Sequence, residues 1–245
     1  MGPETYDAMV VDLDGVVTDT ASVHAAAWKQ LFDDYLAARA ERTGEPFVPF
    51  EPDDYRRHVD GKPRYDGVRD FLAARGITLP EGEPADPPDR ETVCGLGNRK
   101  DAAFNERLAR DGVSVFDTTV EVLRRARRAR MGVALFSSSR NTRQVLHRAG
   151  LEDLFDAIVD GVDAEELGLP GKPHPAVPLE AAARIGAKPE RTVLVEDAVA
   201  GVEAGRRGGF RLVVGVDRTG HGDDLRAHGA DVVVTDLVEI EVQDA

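Results

Sequence analysis

Short runs that are apolar throughout and end in polar residues limit the fold more than any other feature of this chain. They fall at 8–11 leading into Asp12, then at 131–136, 157–159, 192–195, 212–216 and 231–234. Each is rich in β-branched residues, bounded by turn-formers and too short for a helix, which predicts strands buried on both faces. Helix-like stretches separate them at 118–130, 141–149, 176–185, 198–207 and 223–227. Such alternation predicts an α/β fold: a Rossmann-like three-layer core with a parallel sheet between helical layers.

Residues 22–97 break the rhythm. They contain amphipathic stretches at 24–39 and 65–75, no convincing strand, and Gly/Pro interruptions at 44–46, 61–63 and 80–88. We expect an inserted α-helical domain, 22–97, within an α/β core of 1–21 and 98–245, with hinges at 20–22 and 96–98. Plain helical bulk would account for the pattern. Its insertion just past the first strand points instead to a cap over the strands' C-terminal ends, where open α/β sheets bind ligands.

Composition removes several classes. With 42% hydrophobic and 31% charged residues, the 245-residue chain is neither disordered nor able to supply a membrane helix of about 20 apolar residues. The single cysteine, Cys94, excludes an internal disulfide, and no leader pattern stands at the start, so a cytoplasmic location is expected. A net charge of −14 argues against nucleic-acid and membrane partners. It also means that a phosphorylated substrate would need concentrated positive charge or a metal.

Four strand ends carry chemistry-bearing residues. Asp12 and Asp14, in DLDGVVTDT, place two carboxylates two residues apart beside an apolar strand. That costs energy unless a cation compensates. Asp12 would serve as metal ligand and nucleophile toward phosphorus, Asp14 as general acid/base, with Gly15 allowing the sharp bend. A turn cap explains a lone DxDG equally well. Ser137 opens SSSRN, where a hydroxyl and backbone N–H groups would hold a phosphate oxygen, or merely cap a helix. Lys172, framed in GKPHP, would neutralise a carboxylate and a transferring phosphoryl group; it would also pass for an exposed loop lysine. Glu196 and Asp197, in VEDAVAG, read as metal ligand or orienting partner and metal ligand, or as another acidic cap. A parallel sheet brings all four ends to one edge. The crowded carboxylates then call for Mg²⁺.

In this order and combination, DLDGVVTDT, SSSRN, GKPHP and VEDAVAG resemble the four motifs of the haloacid dehalogenase superfamily, in its β-phosphoglucomutase and sugar-phosphate phosphatase branch with an α-helical cap. The resemblance covers nearly the whole chain. It implies Asp12 as nucleophile, Asp14 as acid/base, and Ser137 and Lys172 as phosphate binders. The Mg²⁺ shell it implies is Asp12, Glu196, Asp197 and the carbonyl of Asp14. It adds His24 as a hinge histidine bonded to the acid/base, Arg64 as the binder of a distal phosphate, Lys100 on the sugar side, and Ser138, Arg140 and Asn141 beside the serine.

Hydrolysis of a small phosphorylated sugar through an aspartyl-phosphate is the first expectation. Interconversion of β-glucose 1-phosphate and glucose 6-phosphate follows narrowly, supported by His24, Arg64 and Lys100. A dehalogenase, which needs neither Asp14 nor a metal, and a non-catalytic phosphosugar-binding module are the remaining alternatives. Substrate identity, oligomeric state and membership of a larger polypeptide are not legible.

Overall fold

Strands form where the apolar runs place them. The computed structural model describes residues 4–242. In it β1 (Ala8–Asp12), β2 (Gly132–Phe136), β3 (Ala157–Val159), β4 (Thr192–Glu196), β5 (Leu212–Val216) and β6 (Val232–Val234) build one six-stranded sheet. Its order is β3-β2-β1-β4-β5-β6, and every pairing is parallel. Every residue of β1 and β4 is buried, which is why neither strand shows polar alternation.

The chain divides into two compact units, one of Met1–Thr20 with Val113–Ala245 and the other of Ala21–Gly112. The second unit is helical: α1 (Thr20–Thr43) enters it, followed by α2 (Pro52–Asp54) running into a π turn at Tyr55–Val59, then α3 (Arg64–Ala74) and α4 (Val93–Asp111). Packed aromatics fill its core: Trp28 stacks on Phe32 with ring centroids 5.3 Å apart, and the tilted rings of Phe71 and Phe50 lie 4.1 and 5.1 Å from Phe32.

Helix α4 is absent from the sequence reading, and the hinge expected at 96–98 lies inside it, with Leu96 and Gly97 buried. Gly97 suggested a break, but it and Gly95 are sites of close packing. A Cβ on Gly97 would come within 2.6 Å of the Tyr65 ring. The Gly95 N–H donates to Thr92 Oγ1 at 2.9 Å, capping the helix. Gly112, at φ +77°, ends α4 where the two units divide. The Pro-rich stretch before α4 is pinned to it: Asn98 donates to the carbonyls of Pro84 and Asp86, and Thr92 donates to the buried Asp86 carboxylate.

In the α/β unit, α5 (Asp117–Arg128) packs on β2, α6 (Thr142–Ala149) packs on the turn Glu152–Leu154 and α7 (Gly161–Glu166) packs on β3. On the sheet, α8 (Ala176–Arg184) covers β1–β3, α9 (Val199–Arg207) covers β4–β5 and α10 (Gly222–Ala227) covers β5–β6. Val10, Ala134, Phe136, Leu194 and Val213 join Val177, Ala181 and Val202 in one core cluster. Among the described residues no helix is long and apolar enough to cross a membrane.

Candidate active site

Strand register assembles the site. Asp12 lies level with Phe136 on β2, and Val11 with Val195 on β4, so Asp12, Ser137 and Glu196 emerge at neighbouring strand ends. Strand order reverses between β1 and β4, the position at which α/β sheets open a crevice for ligands. One oxygen from each of Asp12, Glu196 and Asp197 falls within 4.8 Å of the others. Asp12 and Glu196 are buried, with 4% and 0% of their surface exposed. Gly15 lets the β1 loop lie directly against Asp197: its φ is +85°, and a Cβ there would overlap the Asp197 carboxylate. Gly201 does the same for Glu196 in the first turn of α9.

Lys172 is the buried counter-charge. Its Nζ donates to Asp12 Oδ1 at 2.6 Å and to Glu196 Oε1 at 2.5 Å, and lies 4.4 Å from the centroid of the Phe136 ring. Burial opposes its charge, yet the two carboxylates hold the lysine above its ordinary pKa. Asp12 is pushed the other way. Burial first, then the Glu196 and Asp14 carboxylates, raise its pKa well above the usual value in spite of Lys172. One ammonium therefore under-compensates this acidic set. Each carboxylate keeps acceptor capacity beyond its bonds to protein, so the donor set fits a dication such as Mg²⁺.

The remaining core residues expected in the site are tied into the same strand ends. Asp12 Oδ2 accepts the Asp14 N–H at 3.0 Å. Asp14 is only partly buried, and Thr20 Oγ1 donates to its carboxylate while Thr18 Oγ1 stands 2.7 Å from Thr20 Oγ1. Ser137 is buried and its Oγ accepts the Ser139 N–H at 3.0 Å, leaving the hydroxyl proton for an anion. Asn141 is the N-cap residue of α6, and its own N–H donates to Ser139 Oγ at 3.1 Å. Ser138 shares this turn. Arg140 pairs with Glu165 on α7.

Comparison with known proteins decides the family. Residues 6–209 match the haloacid dehalogenase-like hydrolase family of hydrolases. The chain belongs to the haloacid dehalogenase-like hydrolases. As a member it is an enzyme. It is similar to a protein named beta-phosphoglucomutase from Mycobacterium bovis (strain ATCC BAA-935 / AF2122/97), 52% identical over 242 residues, 97% of this chain and 92% of that one. A trehalose-phosphate phosphatase from Mycobacterium leprae (strain TN) is 40% identical over 131 residues, 52% of this chain and 29% of its own length. Among solved structures, a beta-phosphoglucomutase from Clostridium difficile shares the fold with a TM-score of 0.75 at 23% identity, covering 96% of this chain and 93% of the other.

Within the helical unit of this haloacid dehalogenase-like hydrolase, His24 and Lys100 meet. The Lys100 ammonium donates to His24 Nδ1, which must therefore be the accepting nitrogen. Phe104 stacks on the His24 ring at 4.0 Å, and Lys100, 4% exposed, lies over Trp28 and Phe104. Arg64 Nη1 pairs with Asp101 at 2.9 Å. The sequence reading missed Thr20, which donates to the Asp14 carboxylate, and Thr18 beside it, although both stand in DLDGVVTDT. It also missed the loop after β5, where DRTGHG is a turn-rich segment at a further strand end.

Proposed function

We propose that this chain is a Mg²⁺-dependent sugar phosphomutase that interconverts β-glucose 1-phosphate and glucose 6-phosphate through a phosphorylated Asp12. This reverses the order of the two leading expectations. What favours the mutase is similarity at 52% identity, over nearly both full lengths, to a protein named beta-phosphoglucomutase. The observation carrying the phosphotransfer chemistry is the buried Asp12, held between Lys172 and Asp14 beside Glu196 and Asp197.

In this reading Asp12 attacks phosphorus in line, and the phosphorus–oxygen bond to the sugar breaks. Asp14, steadied by Thr20, gives its proton to the departing sugar oxygen. Lys172 and the Ser137 hydroxyl face the phosphoryl oxygens and stabilise charge there. Asp14 then takes a proton from a free hydroxyl of a bound sugar phosphate, which attacks the phosphorus, frees Asp12 and leaves a sugar bisphosphate; turned end for end, that bisphosphate gives its other phosphoryl group to Asp12 by the first step, so one phosphate always lies distal. Asp12, Asp197, Glu196 and the Asp14 carbonyl would hold Mg²⁺, which when bound supplies the missing positive charge. The helical unit would act as the cap. Arg64 and Lys100 would serve the distal phosphate and sugar, with His24 orienting Lys100, and Ser138, Arg140 and Asn141 would complete the phosphate side.

The phosphatase reading keeps one specific support, the likeness of half the chain to a trehalose-phosphate phosphatase. Incubation with β-glucose 1-phosphate and Mg²⁺, following glucose 6-phosphate and free phosphate together, separates them. Glucose 6-phosphate should form at least tenfold faster than phosphate, a barrier difference of about 1.4 kcal/mol. Phosphate release at an equal or greater rate, or faster release from trehalose 6-phosphate, would overturn the mutase assignment.

A further inference from the structure

The loop after β5 holds none of the residues assigned above, yet it grips two of the loops that do. Asp217 closes it. Its Oδ1 accepts the N–H groups of Thr219, Gly220 and His221 at 3.2, 2.6 and 2.9 Å, and its Oδ2 accepts that of Gly222 at 2.8 Å. Burial works to raise its pKa, but these four donors outweigh it and hold the carboxyl below its ordinary value. The turn is thus built around a carboxylate.

From this turn Arg218 reaches the β1 loop. Its Nε donates to the Gly15 carbonyl at 3.1 Å. The guanidinium carbon stands 3.6 Å from the Phe116 ring centroid, and further bonds of 3.4 Å go to the Thr235 carbonyl, the Asp236 carboxylate and Thr119 Oγ1. His221 reaches the β4 loop. Its Nε2 donates to the Asp197 carbonyl at 3.0 Å, while Nδ1 lies 2.7 Å from Thr219 Oγ1 and 3.4 Å from Asp217 Oδ1. A carbonyl only accepts, so this arrangement specifies which ring nitrogen bears hydrogen. Gly15 and the Asp197 carboxylate are themselves in contact. Three loops therefore form a closed triangle, two of them acidic and the third supplying both ties.

We propose that Arg218 and His221 are positioning residues: by tying the Gly15 and Asp197 carbonyls to one turn, they set the spacing of the acidic loops and so the affinity of the site for its dication. The inference rests on the Mg²⁺ site of the proposed function. A brace of that kind acts as do the groups behind metal ligands, whose loss weakens affinity by about 10- to 100-fold. A loop that merely filled space would change stability alone.

Titration calorimetry with MgCl₂ on the full chain, alongside thermal unfolding in EDTA, distinguishes these. His221→Ala should raise the Mg²⁺ dissociation constant about 10- to 100-fold while the melting temperature in EDTA moves by under about 4 °C. The Mg²⁺ concentration for half-maximal turnover should rise in step, with kcat at saturating Mg²⁺ largely retained. His221→Gln, which keeps an N–H donor, should restore most of the affinity. Arg218→Gln, which removes the tie to Gly15, carries the same expectation should His221→Ala not fold. Wild-type affinity in both His221→Ala and Arg218→Gln would overturn the inference and leave the metal site standing. Loss of affinity that only tracks the EDTA melting temperature, with no rescue by His221→Gln, would also overturn it. Absence of Mg²⁺ binding by the wild type would instead sink the metal reading, and this inference with it.

Discussion

The two units of this chain spend their charged residues differently. In the α/β unit, Asp12, Glu196 and Lys172 are buried together at the ends of strands that are otherwise wholly apolar. In the helical unit most ion pairs lie at the surface, such as Arg42 with Glu91 and Arg69 with Glu81, over a core of packed aromatic rings. Surface pairs contribute little, whereas a buried and under-compensated acidic set costs stability that packing elsewhere must offset. The contrast separates a region arranged for chemistry from one held by packing. Substitutions matched across the two units would break or sharpen it.

The largest effect belongs to Asp12→Asn. With Asp12 as the proposed nucleophile, its loss should lower turnover by at least about 10⁴-fold, as removal of a covalent catalytic group does. The same substitution should raise the melting temperature of the metal-free protein. Asp12's folded-state pKa lies above its unfolded value of 3.8, so its ionised form costs stability above the folded pKa. That cost declines as pH falls below the folded value, where the folded carboxyl is protonated, and is gone only below the unfolded value. The variant's advantage in EDTA should accordingly shrink on acidification from pH 8. A melting temperature below wild type throughout would refute the electrostatic account.

Next comes Phe71→Ala. This side chain is fully buried against Phe32 and Phe50, so denaturant unfolding should register a loss of about 3–5 kcal/mol. Mg²⁺ affinity should stay at the wild-type value if the metal-binding groups belong to the α/β unit alone. A smaller effect, and the sharpest comparison, pairs Gly15→Ala with Gly76→Ala. Both glycines have positive φ, +85° and +66°, but only Gly15 has a neighbour in the way. Backbone strain of about 1–2 kcal/mol is expected at each site. Only Gly15→Ala should also weaken Mg²⁺ binding, by about 10-fold or more, since it displaces Asp197. Equal affinities in the two variants would contradict the packing of Gly15 on Asp197. Smallest of all, Glu91→Gln removes one exposed pair and should shift unfolding free energy by less than about 1 kcal/mol.

Legibility followed the same division. Strands of the α/β unit could be read to within a residue or so because burial on both faces leaves an unbroken apolar run, a signal local to each segment. Asp12, Asp14, Ser137, Glu196 and Asp197 stand at the strand end or adjoining loop where the runs placed them, whereas Lys172 comes from the loop between α7 and α8 and not from a strand end as expected. The helical unit was harder. Gly97 read as a hinge, but the Tyr65 ring packs against it and the Arg90 carbonyl against Gly95 within one helix, and neither contact is a helix signal in the local sequence. Arg218 and His221 were passed over for a related reason. An arginine and a histidine in a turn are ordinary until their bonds to Gly15 and Asp197 are seen.

What the amino-acid order determined alone was a parallel α/β sheet whose strand ends bear acids and a serine, since periodicity and punctuation are properties of contiguous segments. Tertiary structure decided the order of the strands, which put β1 beside β4. It also decided the pairing of Lys172 with Asp12 across 160 residues, and of His221 with Asp197 across 24. Those outcomes depend on which segments exclude water together, and no single segment encodes its neighbour.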